Sequence, residues 1–243
     1  MDPKGKVAII TGGARIGQTV AQALALRGCA LAFTYRGSRA AAEVSAASAE
    51  AAGVRTLIVQ ADATDEAQIR AAVQQTAQAF GRLDILVNMA STYIRTLAPS
   101  AADWNAALDT NARSAFLFSI HAAPIMKAGG GGRIITMSDW LVISGRPRYP
   151  GYTPYFASKA AVAAITESLA LDLAPDILVN SIAPGPILAP PDLSAEELAE
   201  VMEATPLARW GGAEEIAKAA LFLIETDFVT GESIRVDGGR HLS

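Results

Sequence analysis

Val7-Ala8-Ile9-Ile10 runs directly into Thr11-Gly12-Gly13-Ala14-Arg15-Ile16-Gly17, and then into Val20, Ala21, Leu24 and Ala25 at helical spacing. An apolar run without polar alternation reads as a strand buried on both faces. A strand that turns through glycines into an amphipathic helix is the opening unit of a parallel α/β sheet. The pattern recurs, with strands expected at 6–11, 30–35, 55–60, 83–88, 133–137, 178–183 and 232–236. Between them lie helical stretches. Asp65 with Gln68, and Ser194 with Glu197, have the spacing of capping pairs. Val162, Ile165, Leu169 and Leu173 form one apolar stripe, and Ile216, Ala220 and Leu223 another. Gly129–Gly132 falls where a helix must end and a strand begin, and is read as a cap and turn. The expected architecture is a single domain over 1–243, a Rossmann-type doubly wound parallel sheet of about seven strands with helices on both faces.

Composition narrows the function. The 243 residues are 51% hydrophobic and 18% charged, enough for one sizeable core and unlike a disordered chain. A net charge of −4 gives no support for nucleic-acid binding. The one cysteine, Cys29, gives no sign of an oxidising compartment, and two separated histidines with one cysteine form no metal-ligand spacing. No apolar run is long enough for a signal peptide or a membrane span, so a cytoplasmic location is expected.

The glycine corner has two readings, an ordinary tight turn or a place where backbone N–H groups and a helix N-terminus meet a pyrophosphate. Its position between the first strand and the first helix favours the second, with Gly12, Arg15, Ile16 and Gly17 as contacts. An acid at the end of the second strand would accept the ribose hydroxyls of NAD, whereas arginine suits the extra phosphate of NADP. Here Tyr35-Arg36-Gly37-Ser38-Arg39 ends that strand, and the first acid after it is Glu43. Tyr35, Arg36 and Ser38, with Arg15 and Arg39, therefore point to NADPH/NADP+. Asp62, beside Ala63, could accept from an adenine amino group or could serve a turn. Tyr155 and Lys159 share a helix face, where an ammonium beside a phenol would lower its pKa and let it pass a proton to a carbonyl or imine. Alone, that spacing is more commonly a surface pair.

Taken in order, Thr11-Gly12…Gly17, Asn88-Met89-Ala90-Ser91, Asn111, Tyr155…Lys159, Asn180…Pro184-Gly185 and Val236-Asp237-Gly238-Gly239 resemble the short-chain dehydrogenase/reductase family over essentially the whole chain. The resemblance implies that Tyr155 is the proton donor and that Lys159 holds the nicotinamide ribose and lowers the tyrosine pKa. It implies that Asn111 anchors a water relaying protons to Lys159. Asn88, Ala90 and Ser91 would line the cofactor, and Pro184, Gly185 and Ile187 would border its nicotinamide.

Within the family the chain looks most like the pteridine reductase branch. Counting back from Gly17, Arg15 falls where that branch has arginine, although the glycine turn is one residue short between Gly13 and Arg15. Asp139 stands where most members carry the serine that bonds the carbonyl, and it again resembles that branch. Ser138 could do the ordinary job instead, leaving Asp139 to cap a turn. Tyr93 would stack on a flat pterin or would pack in its loop, and Trp140 is a candidate for the pocket. The interval from Asp139 to Tyr155 is longer than in relatives, the extra residues lying within 143–152. The expectation is an NADPH-dependent reductase acting on a C=N or C=O group of a planar substrate, a dihydropteridine or dihydromonapterin. The alternatives are a carbonyl reductase or alcohol dehydrogenase for ketoacyl, sugar or steroid-like substrates, and a non-catalytic dinucleotide sensor. A homotetramer or homodimer is expected, with helices at 112–125 and 157–174 compatible with an interface.

Overall fold

A computed structural model describes residues 1–145, 149–190 and 193–242. The first half runs β1 (Val7–Thr11), α1 (Ile16–Ala25), β2 (Ala30–Tyr35), α2 (Arg39–Ala51), β3 (Thr56–Gln60), α3 (Glu66–Phe80), β4 (Ile85–Asn88), α4 (Ala101–Ala107) and α5 (Ser114–Ala128). The second runs β5 (Gly132–Met137), α6 (Trp140–Ser144), α7 (Thr153–Leu173), β6 (Ile177–Pro184), α8 (Ala195–Glu203), α9 (Ala213–Glu225) and β7 (Ser233–Val236). A π-helical turn, Leu108–Arg113, joins α4 to α5, and a short 3₁₀ turn, Arg240–Leu242, follows β7. The seven strands form one parallel sheet in the order β3-β2-β1-β4-β5-β6-β7.

The missing polar alternation in the strands has the expected cause. Ala8, Ile10, Leu31, Phe33, Ile135 and Ile182 pack under Val20, Leu24, Ala46, Ile216 and Leu223 of α1, α2 and α9. Their neighbours Ile9, Ala32, Leu86, Ile134 and Val179 pack on the opposite face against Ile69, Val73, Phe118, Met126 and Leu169 of α3, α5 and α7. With both faces covered, every strand position is under pressure to be apolar. Strand β4 starts two residues later than expected because Asp84 is a clamp. Its buried carboxylate accepts the Val7 N–H at 3.0 Å and pairs with Arg82 at 2.6 Å.

Helix starts follow their capping chemistry with one variation. Ser194 and Glu197 form the reciprocal box that opens α8, and Ser100 with Asp103 forms another at α4. Asp65 caps α3 by accepting from Ala67 N and Gln68 N, whereas the Gln68 side chain donates to Asp65 Oδ2 and accepts from Asp62 N. The helix expected from 112 begins at Ser114, behind the π turn. Crossovers leave β1 toward β2 on one side and return to β4 on the other. The direction in which successive strands are added therefore reverses between β1 and β4, and a crevice opens at their carboxyl ends.

Candidate active site

The sheet register brings the separate motifs to one edge. Thr11 aligns with Thr34 and Asn88, Tyr35 with Gln60, Met137 with Ile182, and Pro184 with Val236. Thr11 ties the centre together, its buried hydroxyl accepting from Met89 N at 2.9 Å and Ala90 N at 3.0 Å.

The shortened glycine corner closes by taking an unusual backbone shape. Gly12 has φ +69°, and Arg15, at the N-cap of α1, has φ +52° and ψ −112°. A side-chain-bearing residue there stores about 1–3 kcal/mol of strain. Gly17 is required by contact, since a Cβ on it would lie 2.6 Å from the Gly12 carbonyl oxygen. Ser45, on α2, holds the corner from behind by donating to Gly13 O at 2.7 Å. Among the described residues no side chain caps α1.

This corner fits a dinucleotide phosphate. Gly12, Ala14 and Arg15 are exposed on it, and a Cβ on Gly12 would come within 3.1 Å of the Ala90 backbone, so the surface is lined by main chain. Arg36 and Ser38 are exposed at the end of β2, and Tyr35 is half-buried. Arg39 is drawn away into an ion pair with Glu43 at 2.8 Å, which reduces the three expected arginines to Arg15 and Arg36. Asp62 serves a turn through Oδ1, which accepts from Thr64 N and Oγ1 at 2.9 and 2.8 Å. Those bonds, and the nearby Arg36 charge, hold its carboxyl below the usual range. Ala63 is half-buried beside it.

Farther along the edge, Asn88 is buried with its Oδ1 without a partner among the described residues, Ala90 is half-buried and Ser91 exposed. Gly185 donates its N–H to Val236 O, and Ile187 is buried. These residues flank the opening on the side away from β2.

The reactive side chains come from α7 and from the loop after β5. Tyr155 is buried and its Oη donates to Asp139 Oδ2 at 2.9 Å. Asp139 is also the N-cap of α6, its Oδ1 accepting from Leu141 N at 2.9 Å, so the two readings of this residue coexist. Ser138 does not reach the tyrosine. Its N–H goes to Ile182 O and Ser181 Oγ and its hydroxyl to Ile182 O, because the residue still belongs to the β5–β6 ladder. Lys159 is buried and donates to Met137 O at 2.8 Å, with Nζ 5.7 Å from the centre of the Tyr155 ring.

The electrostatics differ from the expected phenol-lowering lysine. Burial first, then the charge and hydrogen bond of Asp139, push Tyr155 well above the ordinary tyrosine value. Burial lowers Lys159 to about 8, opposed by Asp139. The arrangement therefore holds a phenol that keeps its proton and donates to Asp139, with Lys159 behind the ring.

Asn111 lies in the π turn and spends its amide on structure. Its Oδ1 accepts from Thr92 N at 2.7 Å, and its Nδ2 donates to Thr92 O and Ser158 Oγ at 3.1 and 2.9 Å. Ser158 in turn donates to Tyr155 O at 2.6 Å. The side chain expected to anchor a water therefore couples the loop before Tyr93 to the helix of Tyr155.

Aromatic rings roof the centre. Tyr93 stacks on Tyr152 with centroids 4.6 Å apart and meets Tyr155 edge-on at 4.7 Å. Trp140 is buried with Leu141, Tyr155 and Phe156 and acts as packing beneath the roof. Reading the sequence assigned no role to Thr11, Thr92, Tyr152 or Ser158. For Tyr152 and Ser158 a signal existed, since both lie within one helical turn of Tyr155. Of the long 143–152 interval, Arg146, Pro147 and Arg148 lie outside the described residues. Among the described residues no cluster could hold a metal ion, and no helix is long and apolar enough to cross a membrane.

Comparison with known proteins agrees with this geometry. Residues 13–241 match the family described as enoyl-(acyl carrier protein) reductase. A 3-oxoacyl-[acyl-carrier-protein] reductase FabG of Staphylococcus aureus is 35% identical over 245 residues, covering 98% of this chain and 98% of its own length. The solved short-chain dehydrogenase/reductase of Serratia marcescens BCRC 10948 superposes with a TM-score of 0.90 at 35% identity, covering 99% of this chain and 100% of that one. The NADPH-dependent 3-quinuclidinone reductase of Rhodotorula rubra gives a TM-score of 0.90 at 30% identity, over 100% and 93% of the two chains. With the phenol, the ammonium and the glycine corner on one sheet edge, this chain belongs to the short-chain dehydrogenase/reductase family.

Proposed function

We propose that the protein is an NADPH-dependent carbonyl reductase. The observation that carries the reading is the buried, protonated Tyr155 with Lys159 behind it, on the edge where the glycine corner can hold a dinucleotide. Gly12, Gly17, Arg15 and Arg36 would hold the cofactor's phosphates, and Gly185 and Ile187 would border its ring. The nicotinamide supplies the hydride when bound.

The chain's own residues supply the proton. A substrate carbonyl oxygen takes the place of Asp139 Oδ2 as acceptor of the Tyr155 O–H. The proton passes from Oη to that oxygen, and the phenolate left behind lies near the Lys159 ammonium, which favours it. Tyr93 and Tyr152 cover one side of the Tyr155 ring. The names of the relatives, 3-oxoacyl and ketone reductases, support a carbonyl substrate. NADPH is supported by the name of the quinuclidinone reductase together with Arg15 and Arg36, and by the absence of an acid between Tyr35 and Arg39.

A pteridine substrate is a second reading, favoured by one observation: Asp139, and not Ser138, bonds the tyrosine. NADPH consumption measured with a panel of ketones and 3-oxoacyl thioesters, and with a dihydropteridine, separates the two. Turnover of ketones that falls at least 100-fold in Tyr155→Phe is expected. Undiminished activity in that variant removes Tyr155 from the chemistry, and turnover of the dihydropteridine alone transfers the assignment to the second reading.

A further inference from the structure

The turn after β3 is built around one carboxylate. Asp62 Oδ1 accepts from Thr64 N and Oγ1, and Asp65 N donates to Asp62 O at 3.0 Å. The turn stands at the carboxyl edge beside the end of β2. Ala61 N donates to Tyr35 O at 2.9 Å, Gln60 Nε2 donates to Arg36 O at 3.1 Å, and Asp62 is near enough to Arg36 to feel its charge. With Arg36 on the 2′-phosphate of the dinucleotide, the adenine carried by the same ribose lies beside this turn. Asp62 is half-buried there, and a carboxylate can accept more than the two bonds that Thr64 supplies.

Arg113 fastens this turn to the start of α5. Its Nη1 donates to Thr64 O at 3.0 Å, and its Nη2 lies 3.8 Å from Glu66 Oε2 in the first turn of α3. Arg113 is the last residue of the π turn that also carries Asn111. Residues two apart in a helical turn project to nearly opposite sides. Asn111 accordingly reaches Thr92 and Ser158 on the side of Tyr155, and Arg113 reaches Thr64 on the other. The bonds inside the turn set its shape, and Arg113 sets its place against α5.

We infer that Arg113 is a positioning residue for the adenine half of the cofactor: by holding Thr64 O it keeps the Asp62 carboxylate where the adenine amino group can donate to it. The inference rests on the placement of NADPH in the proposed function and deepens it by assigning the choice of base to a side chain that acts through Asp62. A positive charge here favours any phosphate-bearing ligand, so affinity for one dinucleotide is a poor measure of this role, whereas preference between two bases isolates it.

The test compares NADPH with its deamino analogue, in which hypoxanthine replaces adenine and a carbonyl replaces the amino donor. Each is titrated by fluorescence into the wild type, Arg113→Met and Arg113→Lys. The two dinucleotides carry the same phosphates, so lost attraction to phosphate cancels in the ratio of their affinities. The wild type is expected to prefer NADPH about tenfold, the worth of one charge-assisted hydrogen bond. That preference is expected to fall to about twofold in Arg113→Met and to persist in Arg113→Lys, which can still donate to Thr64 O. Equal binding of the two dinucleotides by the wild type, or a full preference in Arg113→Met, overturns the proposal. On an Asp62→Ala background Arg113→Met is expected to change the ratio no further, and a further fall overturns action through Asp62. The titrations need no turnover. If no ketone is reduced while the preference and its loss in Arg113→Met are both seen, the carbonyl reductase reading fails and the role of Arg113 stands.

Discussion

Replacing Asp139 with Asn removes the negative charge that lies 2.9 Å from Tyr155 Oη while leaving a side chain of the same shape. A hydrogen bond to a charged group contributes about 1.5–3 kcal/mol, and one between neutral groups about 0.5–1.5 kcal/mol. The neutral phenol therefore loses ~1–1.5 kcal/mol of its advantage over the phenolate, roughly tenfold in their ratio at a fixed pH. The direction follows from the charges. Asp139 raises Tyr155, so its loss lets that group ionise at lower pH, although burial still holds it up. Asp139 also opposes the fall of Lys159, so the ammonium deprotonates earlier as well. Whichever group ends activity at high pH, the basic limb of kcat/KM for NADPH-driven ketone reduction moves toward lower pH, by up to about one unit. Asn can keep accepting from Leu141 N and so keep the cap of α6, and thermal unfolding by circular dichroism is expected to change little. A basic limb that stays in place, or moves to higher pH, in a well-folded Asp139→Asn protein refutes the coupling between this carboxylate and the proton donor.

Two further outcomes are expected. Arg36→Ala should weaken NADPH binding about tenfold in a fluorescence titration and leave NADH binding unchanged, the loss of one charge-assisted phosphate contact; equal losses for both cofactors would place Arg36 away from the extra phosphate. Folding lowers Lys159 from 10.5 to about 8, so between those values the unfolded chain binds the extra proton and stability rises with pH, until the raised Tyr155 reverses the trend above about 10. Urea midpoints of Lys159→Met should lack the rise between about pH 8 and 10 that the wild type shows, and parallel curves for the two proteins would exclude it.

The sheet was legible because its cause is local and repeated. Burial on both faces makes each strand apolar throughout, and the capping residues Ser194 and Asp65 mark helix starts by hydrogen bonds that reach no farther than three residues. The carboxyl-edge position of Gly12, Arg36, Asn88 and Gly185 follows from each standing at or just after the end of a strand. What sequence could not give is where a side chain spends its hydrogen bonds once several elements compete for it. Arg39 is claimed by Glu43, and Ser138 by the β6 ladder. Asn111 is claimed by Thr92 and Ser158. Each choice depends on a partner distant in the chain or on a rotamer. The glycine corner is legibly one residue short in the sequence, but the backbone shape it takes, with Arg15 at positive φ, is not.

The sign of the Tyr155 shift carries the same lesson into the chemistry. Spacing suggested an ammonium that makes the phenol more acidic at rest, yet in the structure desolvation and a carboxylate outweigh it. On the proposed function this is an advantage, because a donor must hold its proton until hydride arrives. A neutral carbonyl oxygen is a weaker acceptor than Asp139, but it gains negative charge along the reaction and then competes for the O–H on better terms. Lys159 matters at the same moment, when the proton leaves and a phenolate forms near its ammonium. The two charges around Tyr155 thus act at different stages, Asp139 on the resting phenol and Lys159 on the phenolate. Their opposition makes the stabilisation grow as the reaction proceeds, which is the condition for a gain in rate and not only in binding.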